Sequence, residues 1–68
     1  MADERFNRIR VVMAENERSN KWLAEKLGKT SNTVSRWINN KSQPSIEQLY
    51  DIAKALNVDA RELLEPSK

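Results

Sequence analysis

Apolar residues recur along this chain at helical spacing, and polar runs rich in capping residues separate the recurrences. Phe6, Ile9, Val12 and Met13 predict a first helix from Glu4 to Glu15. The run "ENER" breaks that pattern. Ser19 suits the N-cap of a second helix, Asn20 to Leu27, with Leu23, Ala24 and Leu27 turned inward. Gly28, the only glycine in the chain, suits the left-handed position just past that helix. Thr30 can cap a third helix, Ser31 to Asn39, whose buried face is Val34, Trp37 and Ile38. After the loop "NNKSQP", Ser45 and Gln48 form the spacing of a capping box. They open a fourth helix that runs to Leu56, with Ile46, Leu49, Ile52, Ala53 and Leu56 on one face. Asp59 and Glu62 make a second box for a fifth helix, with Val58 and Leu63 placed as a hydrophobic staple. Pro66 marks its end. No segment reads as a strand.

These elements predict an all-α, compact five-helix bundle over residues 1–68, one domain with residues 65–68 frayed. The expected core is Phe6, Ile9, Met13, Leu23, Ala24, Leu27, Val34, Trp37, Ile38, Leu49, Ile52, Ala53 and Leu56, with Leu63 and Leu64 added from the fifth helix. Such a chain, 68 residues long, buries only ~60% of its unfolded surface, so the core is small.

Composition narrows the chemistry. The chain has no Cys and no His. That removes disulfides, thiolate metal sites, the commonest metal ligand and the usual general base. No cofactor or metal site is expected, and enzymatic function is disfavoured. No apolar run approaches the roughly 18–20 residues of a membrane span. The amino terminus "MADERFNRIR" lacks an apolar signal core. A soluble, cytoplasmic protein is expected.

Charge is uneven. Net charge is +2 overall. Arg18, Lys21, Lys26, Lys29, Arg36 and Lys41 face only Glu17 and Glu25 in residues 17–44. From Lys26 to Ile46 there is no acid at all, whereas the last third of the chain is net acidic. A basic middle fits an anionic partner, or an unevenly charged solvated surface.

The third helix decides between these. Its outer stripe is Ser31, Asn32, Ser35, Arg36 and Asn39, at i, i+1, i+4, i+5 and i+8. Ser and Asn are mediocre helix formers, because their side chains compete for backbone hydrogen bonds. A merely solvated face would carry Glu, Lys or Ala. These residue types match base edges instead. Arg pairs with the O6 and N7 of guanine, Asn with the N6 and N7 of adenine, and Ser with several bases. The short turn "GKT" joins the second and third helices, as in a helix-turn-helix unit that places its second helix in the DNA major groove. Asn20, Lys29, Thr33, Asn39, Lys41 and Ser42 flank the stripe as candidate phosphate contacts.

At this point the sequence resembles a known family. "SNKWLAEKLGKTSNTVSRWINNKSQPSIEQLYDIAKALNVDARELL", Ser19 to Leu64, is similar to the Cro and phage-repressor (XRE) type of helix-turn-helix domain. The matching pieces are "LAEKLG", "TVSRW", the proline before the fourth helix and "LYDIAKALNVDARELL"; "NRIRVVMAE" fits the first helix. The resemblance implies a sequence-specific double-stranded DNA-binding domain of a bacterial or phage transcription regulator. By position it assigns base reading to Ser31, Asn32 and Arg36, with Ser35 as a fourth reader. Asn20 takes the place of a phosphate-touching residue that is commonly Gln. Asn39, Lys41 and Ser42 take that of the loop that follows the DNA backbone.

The departures carry information too. Where many members pair an Arg with a Glu, Met13 and Ile38 stand here, and an apolar pair avoids the desolvation cost of ions. Asn40 stands where Gly is common, and Arg18 where an apolar residue is common. The expected function is a repressor or autoregulator acting by occupancy of a palindromic operator. The alternative is a protein-interaction module that keeps the fold without reading DNA. Dimerisation is expected, because one small module offers only ~600–1,000 Å² to DNA. Leu63 and Leu64 are candidate dimer contacts. Trp22 is read as extra core or as an exposed partner contact, Tyr50 as half-buried structure, and Arg5, Arg8 and Arg10 as a solvated helix face.

Overall fold

The structure, a computed structural model, describes residues 5–66. Four helices follow one another: α1 (Ile9–Glu15), α2 (Asn20–Leu27), α3 (Ser31–Ile38) and α4 (Ile46–Leu56). A 3-10 turn, Ala60–Leu63, closes the series. Each of the last three helices starts at the expected cap. Ser19 Oγ accepts from the Trp22 N–H, Thr30 Oγ1 from the Thr33 N–H and Ser45 Oγ from the Gln48 N–H, each at 3.1 Å. Such caps satisfy N–H groups that have no partner within the helix, and each contributes about 1 kcal/mol.

The helix ends are equally local. Gly28 is left-handed at φ 68°, and Asn57 ends α4 in the same region at φ 58°. Asn40 is also left-handed, φ 59°, which explains why Asn can stand where Gly is common.

Ile9, Val12, Leu23, Val34, Ile52 and Leu63 are fully buried, and Met13, Ala24, Trp37, Ile38, Leu49, Ala53 and Leu56 complete the cluster. α2 packs on α3 and α4, while α1 packs on α3 and the 3-10 turn. Met13 and Ile38 both lie in this core. Burying one such aliphatic side chain is worth ~1.5–3 kcal/mol.

Three expectations need correction. First, α1 begins at Ile9; Glu4, where the first helix was expected to start, lies outside the described residues. Phe6 to Arg8 pairs with the other end of the chain instead. The Arg8 N–H donates to Leu63 O at 2.8 Å, and the Glu65 N–H donates to Phe6 O at 3.0 Å. Phe6 consequently leaves the core and is 56% exposed.

Second, the fifth helix is only the four-residue 3-10 turn, so the described residues form four α-helices, not five. The same pairing draws Leu64 into extended backbone, and Pro66 has no N–H with which to continue a helix. The Asp59 carboxylate accepts from the Arg61 N–H and guanidinium rather than from residue 62. Residues 67 and 68 of the expected frayed tail lie outside the described residues.

Third, Ile46 is 71% and Tyr50 63% exposed, so the apolar face of α4 starts at Leu49. Trp22 is partly buried against the core. The Arg18 guanidinium stacks over its ring at 4.5 Å, with Lys26 at 5.8 Å, so Arg18 covers an aromatic where an apolar neighbour is common. Among the described residues no helix is long and apolar enough to cross a membrane.

Candidate nucleic-acid interface

α3 is anchored by its inner face and free on its outer one. Val34, Trp37 and Ile38 are buried, whereas Ser31, Asn32, Arg36 and Asn39 are exposed and Ser35 is half-buried. The core contacts therefore fix the rotation of the helix, and that rotation presents the polar stripe. Lys29 and Lys41, just outside the two ends of α3, are exposed, as is Asn20 at the start of α2. The ion pair found among the described residues is Asp59–Arg61, at 3.0 Å. The cations around α3 thus form no ion pair within the described part. Asp59 is held below the usual carboxylate range by the Arg61 side-chain and backbone hydrogen bonds.

A helix-turn-helix family model matches residues 9–63. The chain belongs to the helix-turn-helix family. Comparison with curated proteins finds no match. Among solved structures, the chain is similar to a Bacteroides fragilis protein that is provisionally described as DNA-binding. The two share 55% sequence identity and a TM-score of 0.88, over 91% of this chain and all of the other. In this helix-turn-helix protein the pair is α2 and α3. They are joined by Gly28 to Thr30 and locked by the Lys29 N–H donating to Ala24 O at 2.9 Å.

The segment after α3 is shaped by its own end. Arg36 O accepts from the N–H groups of both Lys41 (2.9 Å) and Ser42 (3.3 Å). This folds the loop expected to follow the DNA backbone against the end of α3. Thr33 is half-buried, and its Oγ1 accepts from the Thr30 hydroxyl at 3.0 Å. Of the two dimer candidates, Leu63 is fully buried in the chain's own core and offers no surface to a second copy. Leu64 is 45% exposed.

The structure adds residues that the pattern left out. Asn7 is buried and polar. Its Nδ2 donates to Trp37 O (2.9 Å) and Gln43 Oε1 (2.8 Å), and its Oδ1 accepts from the N–H of Ile9, the first residue of α1 (3.1 Å). Asn40 Oδ1 accepts from the N–H groups of Phe6 (3.0 Å) and Asn7 (3.1 Å) and from Gln43 Nε2 (3.1 Å). Asn40 Nδ2 donates back to Asn7 O at 3.2 Å. Three amides thus clamp the turn after α3 to the amino-terminal segment. The arginines expected on a solvated face converge on the same place. Arg8 donates to Glu62 O at 3.0 Å and Arg10 to Asn39 Oδ1. Arg5, Arg8, Arg10 and Lys41 line a cleft of ≈ 300 Å³ beside this turn, with Glu65 on its wall. One signal in the sequence could have pointed there: the Asn at a position where Gly is common.

Proposed function

We propose that this chain is a transcription regulator that binds double-stranded DNA with α3 in the major groove. Ser31, Asn32, Ser35 and Arg36 read bases. Asn20, Lys29, Thr33, Asn39, Lys41 and Ser42 contact the phosphate backbone. Family membership and a structural relative provisionally described as DNA-binding support the general reading. One observation carries the finer one. The outward side of a core-anchored α3 holds Asn and Arg in a stretch without acids. The protein acts by occupying an operator rather than by catalysis, as a single domain. Two copies on a palindrome would add a second half-site ~34 Å away.

Selection on random duplex DNA tests binding, base preference and half-site symmetry together. Arg36→Ala is expected to cost ~1–3 kcal/mol on the selected site and to relax one base pair. Lys41→Ala is expected to weaken all sequences alike and to lower the salt slope by about one. An unchanged base preference in Arg36→Ala would rule out its direct readout. Weak, salt-sensitive binding by the wild type with no preferred sequence would return the chain to the protein-interaction alternative.

A further inference from the structure

Arg10, Asn39 and Ser35 form a line of hydrogen bonds from α1 to the outward face of α3. The Arg10 guanidinium donates through Nη2 to Asn39 Oδ1, and Asn39 Nδ2 donates to Ser35 Oγ at 3.3 Å. Chemistry sets the direction of this line. A guanidinium has donors and no acceptor. The Asn39 atom that faces it is therefore the carbonyl oxygen, and the amide NH₂ faces Ser35. An NH₂ group donates, so Ser35 Oγ accepts from it with one of its two lone pairs, and its single proton points elsewhere. The charge on Arg10 strengthens the first bond and polarises the second. Ser35 shares its face of α3 with Asn32 and Arg36, at i−3 and i+1.

We propose that Arg10, acting through Asn39, biases the Ser35 hydroxyl toward donating, so that Ser35 favours a hydrogen-bond acceptor on a base edge. This rests on the DNA-binding reading above. A free serine hydroxyl serves donors and acceptors alike and discriminates poorly. Held in that sense, it donates to guanine O6 or N7, adenine N7 or thymine O4, and it disfavours cytosine, which offers only its N4 amino donor in the major groove. Arg10 is a positioning residue here: it sets the sense of a hydroxyl that it does not itself touch.

The test selects preferred sites from random duplex DNA for the wild type and for Ser35→Ala, Arg10→Met and Asn39→Asp, with folding of each checked by circular dichroism. Ser35→Ala is expected to lower discrimination at one base pair by about two- to tenfold, the range of one neutral hydrogen bond. Arg10→Met is expected to relax the same base pair, leaving those read by Asn32 and Arg36 unchanged. Asn39→Asp is the sharper variant. A carboxylate only accepts, so it takes the Arg10 N–H and the Ser35 proton together. Ser35 then presents a lone pair, and preference at that base pair shifts toward cytosine.

Uniform weakening of all sequences by Arg10→Met, with the salt slope lowered by about one, would make Arg10 a phosphate contact and overturn the proposal. Unchanged base preference in Ser35→Ala also overturns it, since the wild-type serine proton is then held by the helix carbonyl four residues back rather than by a base. Should Arg10→Met fail to fold, Asn39→Asp decides alone, and an unshifted preference there refutes the relay. A wild type with no preferred sequence removes the DNA reading and this inference together. A wild type with a clear site and variants that do not move it removes only this inference.

Discussion

The two ends of α3 are held by different means. Its start is local: Gly28 turns the chain, Lys29 closes on Ala24, and Thr30 caps the helix within three residues. Its end is long-range. Asn40 turns the chain in the same left-handed region, but its side chain binds Phe6 and Asn7, more than thirty residues away. The first end needs only the right residues in order. The second needs the whole molecule to be folded before its bonds exist. For a helix that must present a fixed stripe, the far end is therefore the more cooperative one.

Trp37 is the point where both ends meet the core. It is 7% exposed, and its carbonyl takes the Asn7 amide and the Asn40 N–H. Trp37→Ala is expected to cost ~3–5 kcal/mol, enough to unfold much of so small a domain. Urea unfolding followed by circular dichroism measures it. A loss below about 1 kcal/mol would mean that the core does not set the orientation of α3.

Asn7→Ala isolates the long-range end. It removes the acceptor of the Ile9 N–H, one of the two donors to Trp37 O and the donor to Gln43 Oε1, at about 2–3 kcal/mol in all. Thr30→Ala, at the local end, is expected to cost only about 1 kcal/mol. Amide hydrogen exchange should show Asn7→Ala releasing the turn at residues 39–43 while the α2–α3 turn stays protected. The comparison breaks if both turns lose protection equally.

The left-handed positions on either side of α3, Gly28 and Asn40, sharpen it further. At Gly28 a Cβ would meet nothing within 4 Å, so Gly28→Ala costs backbone strain alone, ~1–2 kcal/mol. Asn40→Gly relieves that strain yet is expected to destabilise, because the side chain accepts three hydrogen bonds. A thermal melt in which Asn40→Gly is neutral or better would reduce Asn40 to a backbone role.

The smallest effect lies far from α3. The Asp59 carboxyl sits below its ordinary value because Arg61 binds the charged form. A lowered folded value means that the contribution is complete above the unfolded carboxylate value and is lost as pH falls through the folded one. Both groups are solvent-exposed, so salt screens the pair. In acid titrations of stability, Asp59→Asn should flatten the slope slightly, and more so at low ionic strength than at high.

Local chemistry was legible over α2, α3 and α4. The caps of α2, α3 and α4 and the span of α2 are as the residue order predicts, because a cap acts over three residues and an apolar face over eleven or fewer. The stripe on α3 was legible for the same reason. Phe6, Ile46 and the fifth helix were misread where periodicity ran past the core that would have used it. Nothing in "RFNR" announces that Asn7 is buried, since its partners Trp37, Asn40 and Gln43 are distant in the chain.

By itself, then, the sequence determined the helices, the turn between α2 and α3, the basic middle and the chemistry of the outer stripe. All of these depend on neighbours within one or two helical turns. Only the tertiary structure decided where α1 starts, that the last element is a single 3-10 turn, and that Asn7, Asn40 and Gln43 hold the end of α3. It also decided that Arg10 reaches Asn39. Each of these depends on hydrogen bonds between segments that meet only once the core has brought the two ends of the chain together.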